Sequence, residues 1–280
     1  SRGLGDVYKR QFMNSFQQVC SALYTKNKAN YTSTGSSTGL SQFKAGTTTF
    51  GGTDNAYSAG TAPSNFTYVP LVAGAIVIAY NVPGVTNLRL TPKVISDIFT
   101  GTIKTWDAAA IKKLNPTAKL PKDNIQVVYR SDGSGTTNNF SNYMLQTVGG
   151  TWKQNSTWAT ALGKSPVGIG SAQNQGVVST VSQTKFAITY ADPADAKKAK
   201  LTFASVRNGA GEFVKPSAAT ASRFIAAMPA GADGLVTFNY KAKVAGAYPI
   251  ALVAYGLAPT ASSNAAKAVS YTHLTLPTTP

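Results

Sequence analysis

Histidine and cysteine are almost absent from this chain of 280 residues, and each shortage argues against a kind of site. The only cysteine is Cys20 and the only histidine is His273. A single cysteine leaves no partner for an internal disulfide. The near absence of histidine argues against catalysis through an imidazole base and against most zinc sites. We therefore expect neither a metal nor a cofactor, and we do not expect an enzyme.

Acidic side chains and long apolar runs are also scarce. The chain has 26 Lys and Arg against 10 Asp and Glu, and its formal net charge is +16. Such an excess favours anionic partners. Nucleic acid is not expected, because the lysines are scattered and are not interleaved with aromatic side chains as in a stacking groove. The longest apolar run, residues 69–82, is interrupted and too short to span a bilayer.

The two ends of the chain read as a sequencing artefact. Back-translation of residues 6–11, DVYKRQ, gives a DNA segment whose reverse complement, in a shifted frame, encodes residues 269–273, VSYTH. Complementarity of this kind is typical of translated sequencing adapters at the two ends of a DNA fragment. We therefore expect residues 1–11 and 269–280 to lie outside the native protein and exclude them from the fold prediction.

Between the ends, short apolar segments alternate with amphipathic ones. Residues 74–82 and 124–129 are β-branched runs typical of strands buried on both faces. Residues 91–101 open with Thr-Pro and stop at a glycine, which predicts a helix. Residues 136–148 carry apolar side chains at helical spacing. This alternation favours an α/β architecture with mostly parallel sheets.

Two segments share the order strand, Gly/Ser/Thr loop, helix. They are YTSTGSSTGLSQF at 31–43 and IQVVYRSDGSGTTNNF at 125–140. The first turn of a helix has N–H groups without intrahelical partners, and its dipole favours negative charge. Glycines let that backbone approach an oxyanion, while the hydroxyls of Ser36, Ser134 and Thr136 can add hydrogen bonds. The pattern predicts an oxyanion site on two loops.

Other sites built on similar residues do not fit the sequence. No G-x-x-x-x-G-K-[ST] loop for a nucleoside triphosphate occurs, and no G-x-G-x-x-G opens a dinucleotide-binding unit. Asp54 and Asp132 are compatible with the carboxylate pair of a glycosidase. Each, however, lies in a Gly/Ser/Thr turn, where an aspartate commonly bonds its own backbone.

Three segments give the chain a family resemblance. RSDGSGTT at 130–137, GSSTGLSQFKAGTTTFGGTD at 35–54 and ISDIFTGTIKTWDAAAIKKLNP at 95–116 together resemble the phosphate-binding proteins of bacterial phosphate ABC transporters. The resemblance implies a two-lobed, type II periplasmic-binding-protein fold, here truncated at both ends. Residues 12–78 with 247–268 would form an incomplete lobe 1, and residues 79–246 would form lobe 2.

The resemblance also implies seven phosphate ligands, which are Ser36, Asp54, Arg130, Asp132, Ser134, Gly135 and Thr136. Arg130 would form charge-assisted hydrogen bonds with the anion. Asp132 would accept a hydrogen bond from the proton that phosphate keeps near neutral pH, and Asp54 would assist. Fully ionised sulfate has no such proton, so a site of this kind can reject it by roughly 10⁴–10⁵.

Taken together, the sequence predicts an exported, periplasmic or cell-surface protein that captures inorganic phosphate for an ABC importer. We expect a monomer whose partner is a membrane permease. Two alternatives remain open at this point. One is a binder of another oxyanion, such as sulfate or molybdate. The other is a secreted surface protein or a phosphatase-related protein that reuses the fold.

Overall fold

Residues 32–260 are described by the computed structural model, and this part of the chain is a mixture of helices and strands. The helices are α1 Ser36–Lys44, α2 Pro92–Phe99, α3 Ala109–Leu114, α4 Gly135–Thr147, α5 Trp158–Leu162, α6 Gln173–Gln183, α7 Pro193–Lys198 and α8 Ala218–Ala226. The strands are β1 Gly51–Thr53, β2 Phe66–Ala75, β3 Val77–Asn81, β4 Arg89–Leu90, β5 Gln126–Arg130, β6 Ile169–Ser171, β7 Ala187–Ala191, β8 Thr202–Phe203, β9 Ser205–Arg207, β10 Phe213–Val214 and β11 Ala251–Pro259.

Several sequence expectations fall beyond this range. Cys20, His273 and the two predicted artefact segments, residues 1–11 and 269–280, lie outside the described residues. Across residues 32–260, no helix combines the length and the apolar character needed to cross a bilayer.

The strands form three sheets. One has the order β1-β11-β2 and is antiparallel throughout, and a small one has the order β10-β9-β4. The largest has the order β6-β5-β7-β3-β8, in which β5 runs parallel to β6 and β7 while β3 runs antiparallel to β7 and β8. The expectation of mostly parallel sheets is therefore wrong. The strand β3 enters this sheet directly from the lobe 1 strand β2 and runs opposite to β7 and β8, and the lobe 1 strands also pair antiparallel.

Two lobes follow from these sheets. Lobe 1 contains the β1-β11-β2 sheet, and lobe 2 contains the five-stranded sheet. The chain passes between them at Ile76, the one residue that separates β2 from β3. The Ile76 N–H donates to the Ile250 carbonyl at 2.8 Å, and the Tyr248 hydroxyl donates to the Ile76 carbonyl at 3.0 Å. Hydrogen bonds from the returning chain thus fix this crossing point.

Helix α8 belongs with lobe 1. It packs on β2 and β11, and its Phe224 ring stacks with Phe238 at 6.2 Å and with Tyr240 at 6.0 Å. The Tyr240 hydroxyl donates to the Ala251 carbonyl at the start of β11. The sequence division placed all of residues 79–246 in lobe 2. This packing differs from that division, because the apolar face of α8 is buried on the lobe 1 sheet.

A close backbone contact holds α1 against β1. A Cβ at Gly39 would lie 2.4 Å from the Gly52 carbonyl oxygen, so only glycine allows the helix to approach the strand this closely. The contact matters because Ser36 opens α1 and Asp54 directly follows β1. It therefore sets the relative position of two of the predicted ligands.

We predict that Gly39→Ala destabilises the fold by about 1–3 kcal/mol, because the added methyl group must push α1 away from β1. Gly176→Ala is the matched control, since that glycine is inside α6 and a Cβ there would be 3.7 Å from its nearest neighbour. The control should gain about 0.5–1 kcal/mol from helix propensity. Urea unfolding measures both values. Equal stability of the two variants would contradict the account of the α1–β1 contact.

Candidate anion-binding site

The starts of α1 and α4 meet where the two lobes face each other. The Ser37 N–H donates to the Gly133 carbonyl at 3.4 Å, and the Ser37 hydroxyl donates to the Ser156 hydroxyl at 3.1 Å. From the other side, the Asn139 amide donates to the Asp54 carbonyl at 2.6 Å. The two Gly/Ser/Thr loops of the sequence analysis are thus in direct contact, and each presents the start of a helix.

Arg130 ends β5 inside this meeting point, and its side chain is only 5% exposed. Its Nε donates to Asp132 Oδ1 at 2.7 Å, and its Nη2 donates to Asp132 Oδ2 at 2.6 Å. Its Nη1 donates to the side-chain oxygen of Asn174 at 3.0 Å. The guanidinium is held by a fork of two parallel hydrogen bonds, a geometry that gives both strength and a fixed orientation.

Asp132 is fixed in turn by α6. The Gln173 N–H donates to Asp132 Oδ1 at 2.9 Å, and Gln173 has a left-handed backbone with φ of 60°. A non-glycine residue in that conformation is costly and persists only where the surrounding structure holds it in place. Partial burial raises the pKa of Asp132, but the hydrogen bonds and charge of Arg130 and the Gln173 N–H outweigh it, so the pKa lies below its usual value. Asp132 is therefore ionised at neutral pH.

Helix α4 begins with a side-chain cap. The Ser134 hydroxyl accepts from the Thr137 N–H at 3.1 Å, while the Ser134 N–H donates to the Ser156 carbonyl at 3.0 Å. The backbone of Ser134 is thus already bonded, and its hydroxyl, which can still donate one hydrogen bond, is the group left for a ligand. The next two residues, Gly135 and Thr136, are buried and occupy the first turn, where N–H groups have no intrahelical acceptor.

Ser36 and Asp54 approach α4 from lobe 1. The Asp54 N–H donates to Ser36 Oγ at 3.1 Å, and Ser36 Oγ lies 3.3 Å from Asp54 Oδ2. A Cβ at Gly135 would lie 2.5 Å from Ser36 Oγ and 2.7 Å from the Asp54 Cβ. Only glycine at 135 lets the first turn of α4 come this close to the Ser36 hydroxyl.

The structure brings the predicted ligands together. Those from lobe 1 are Ser36 and Asp54, and those from lobe 2 are Arg130, Asp132, Ser134, Gly135 and Thr136. Sequence reasoning missed the residues that hold them in place, which are Asn139, Ser156, Gln173, Asn174 and Tyr190. Asn139 lies inside the segment 125–140 that the sequence analysis singled out. The other four lie 16 or more residues after the end of that segment, and no local sequence motif identifies them.

The site carries basic and hydroxyl groups rather than a set of metal ligands. In the part of the chain that the structure describes, no three His, Cys, Asp or Glu side chains are grouped to hold a metal ion. One guanidinium, two helix starts and several hydroxyls close to one another form an environment suited to a small oxyanion.

Comparison with known proteins identifies the family. The model of the PBP superfamily domain matches residues 9–271, which is nearly the whole chain. The chain belongs to the PBP superfamily. The type II α/β fold predicted from the sequence resemblance is confirmed.

Curated relatives of the chain include phosphate-binding proteins named PstS. The chain is 38% identical over 253 residues to that of Xylella fastidiosa strain Temecula1, covering 87% of this chain and 67% of the relative. It is 43% identical over 200 residues to that of Pasteurella multocida, covering 69% of this chain and 57% of the relative. The chain thus spans between a little over half and two thirds of the length of these relatives.

Solved structures of phosphate-binding and phosphate-transport proteins share the architecture. A periplasmic phosphate-binding protein, PfluDING, bound with phosphate, superposes with a TM-score of 0.71 at 25% identity, covering 90% of this chain and 79% of that one. An ABC-type phosphate transport receptor from Vibrio cholerae superposes with a TM-score of 0.60 at 16% identity. The superposition covers 94% of this chain and 87% of that one. The second likeness concerns the fold alone.

We predict that the contribution of Asp132 to stability depends on pH. A carboxyl group whose pKa is lowered by folding stabilises the protein fully above its unfolded pKa, about 3.9, and loses that effect as the pH falls through the folded pKa. At pH 6, Asp132→Asn should therefore cost about 3 kcal/mol, because the buried guanidinium loses its counter-charge. Between pH 4 and pH 2 the difference from wild type should shrink.

Thermal unfolding of both proteins from pH 7 to pH 2 measures this difference. Asp97→Asn is the control, since Asp97 pairs with the exposed Lys93 on the surface of α2 and should contribute at most about 0.5 kcal/mol. A cost for Asp132→Asn that does not change with pH would contradict the ion-pair interpretation.

Proposed function

We propose that this chain captures inorganic phosphate between its two lobes for an ABC importer. The observation that carries the proposal is that the α1 and α4 starts, from different lobes, contact each other, and that the Arg130–Asp132 pair lies beside the start of α1. The phosphate-binding relatives in the PBP superfamily support the choice of phosphate.

In this proposal each lobe supplies part of the donor set. From lobe 2, Arg130 neutralises the anion, while Gly135 and Thr136 donate from the backbone at the start of α4. The hydroxyls of Ser134 and Thr136 add further donors. From lobe 1, the Ser36 hydroxyl, which donates to Asp54 Oδ2 at 3.3 Å, would complete the set by turning its proton to the anion. An anion held in this way takes part in no bond making or breaking, so the proposed activity is binding and release without catalysis.

The two carboxylates have different roles in the proposal. The sequence resemblance implies that Asp132 accepts the proton of hydrogen phosphate, but the Asp132 oxygens already accept from two Arg130 nitrogens and from the Gln173 N–H. Asp54 Oδ2 lies beside Ser36 Oγ and the start of α4, where the anion would bind. We therefore assign acceptance of the ligand's proton to Asp54 and the orientation of Arg130 to Asp132.

The proposal extends to location and partners. We propose that the chain acts outside the cytoplasm, as the periplasmic phosphate-binding protein PfluDING does, and that it delivers phosphate to a membrane permease. We propose that it does so as a monomer and without nucleic acid. The positive net charge of +16 would favour the approach of a small anion.

We predict that isothermal titration calorimetry detects one phosphate per chain, with sulfate at least about 10⁴-fold weaker. Molybdate serves as a third anion without a firmly held proton at neutral pH. Sulfate or molybdate binding as tightly as phosphate would favour the alternative of a different oxyanion carrier. Absence of binding for all three anions would refute the proposal.

We further predict that the two aspartates respond differently to removal of charge. Asp54→Asn should lower the ratio of phosphate to sulfate affinity by at least about tenfold, because an amide can donate to sulfate where the carboxylate repelled it. Asp132→Asn should change the affinity for both anions by the same factor, because it disturbs Arg130. The reverse result, with the ratio altered only by Asp132→Asn, would return the proton-accepting role to Asp132.

A further inference from the structure

Tyr190 lies beneath the candidate site and was not among the predicted ligands. It is on β7 in the middle of the five-stranded sheet, and its side chain is completely buried. Its hydroxyl accepts from the Arg130 N–H at 3.2 Å and lies 2.7 Å from Thr137 Oγ1. One oxygen atom therefore joins the last residue of β5 to the first turn of α4.

The position of that oxygen is fixed by aromatic packing. The Tyr190 ring stacks on Phe140 with centroids 4.5 Å apart and planes inclined by 6°, and on Trp158 at 5.2 Å and 24°. Phe99 packs against the same ring at 5.8 Å. Phe140 is itself a residue of α4. Burial raises the pKa of Tyr190 to about 12, so the hydroxyl keeps its proton at neutral pH.

The two groups that this hydroxyl joins carry the positive features of the site. Arg130 supplies the guanidinium, and the first turn of α4 supplies the N–H groups of Gly135 and Thr136. A shift of the end of β5 relative to α4 would change the distance between the Arg130 guanidinium and the start of α4. An anion that must contact both is sensitive to displacements well below 1 Å, because hydrogen bonds weaken steeply away from their preferred geometry.

We propose that Tyr190 is a positioning residue of the anion site, and that its hydroxyl fixes the backbone of Arg130, and with it the end of β5, relative to the start of α4. The proposal rests on the proposed function, since it concerns the affinity of the same site for phosphate. Tyr190 does not touch the anion in this arrangement. It acts through Arg130 and Thr137, whose own backbone groups belong to the strand and helix that carry the ligands.

The competing explanation is that the hydroxyl only satisfies a buried N–H group, as buried polar groups generally require. Both explanations predict that Tyr190→Phe is less stable. Only the positioning role predicts weaker binding by the molecules that remain folded. Tyr240 offers a matched control, because it is also fully buried and its hydroxyl donates to a backbone carbonyl, that of Ala251, within lobe 1.

The experiment compares wild type, Tyr190→Phe and Tyr240→Phe by calorimetry with phosphate, at a temperature where urea unfolding shows each protein to be folded. Both variants should have a lower urea midpoint than wild type. Tyr190→Phe should bind phosphate about tenfold more weakly, the effect of one hydrogen bond. Tyr240→Phe should stay within about twofold of wild type. Equal phosphate affinity of wild type and Tyr190→Phe would overturn the proposal.

Two variants of Thr137, the second hydrogen-bond partner of the Tyr190 hydroxyl, test the positioning role even if Tyr190→Phe fails to fold. Thr137→Val removes the hydroxyl that meets Tyr190, whereas Thr137→Ser keeps it. The positioning role predicts weaker phosphate binding for valine and near wild-type binding for serine. Equal binding by the two would refute it. If wild type itself binds no phosphate, the proposed function fails first, so the two failures are distinguishable.

Discussion

A buried guanidinium is the constraint on which the rest of the site depends. Removing a charge from water is costly unless it is paired and hydrogen-bonded. Arg130 is nearly inaccessible, and the structure satisfies it with the Asp132 fork and the Asn174 side chain. Asp132 is held by Gln173, whose backbone is in a strained conformation. A pair fixed in this way keeps the cation ready in one orientation, and an arriving anion does not have to order it.

The second requirement is that backbone from two lobes approaches one point. Any residue other than glycine at position 135 would prevent this approach, because its Cβ would collide with Ser36 and Asp54. Where the chain passes between the lobes, Ile76 is hydrogen-bonded to Ile250 and Tyr248 of the returning chain. Lobe 2 thus supplies the positive charge for the anion, through Arg130. Both lobes supply the close approach of backbone, at the starts of α1 and α4.

The local parts of this arrangement are readable in the sequence, and the long-range parts are not. The helix starts at Ser36 and Gly135 follow from capping and glycine patterns, and the structure has helices beginning at both residues. Asn174 and Tyr190 touch Arg130 from 44 and 60 residues away, and no periodicity marks such contacts. The antiparallel pairing of β3 and the packing of α8 on lobe 1 were missed for the same reason, since both depend on which sheet a segment reaches.

The central claim is that one oxyanion binds between the α1 and α4 starts, and a crystal structure of the chain grown with phosphate tests it most directly. The account predicts a single phosphate with oxygens within hydrogen-bond distance of the Ser36 hydroxyl, the Gly135 and Thr136 N–H groups and the Arg130 guanidinium. It also predicts that Asp132 stays paired with Arg130 in that structure. Phosphate bound elsewhere, or bound by groups of one lobe alone, would contradict the account.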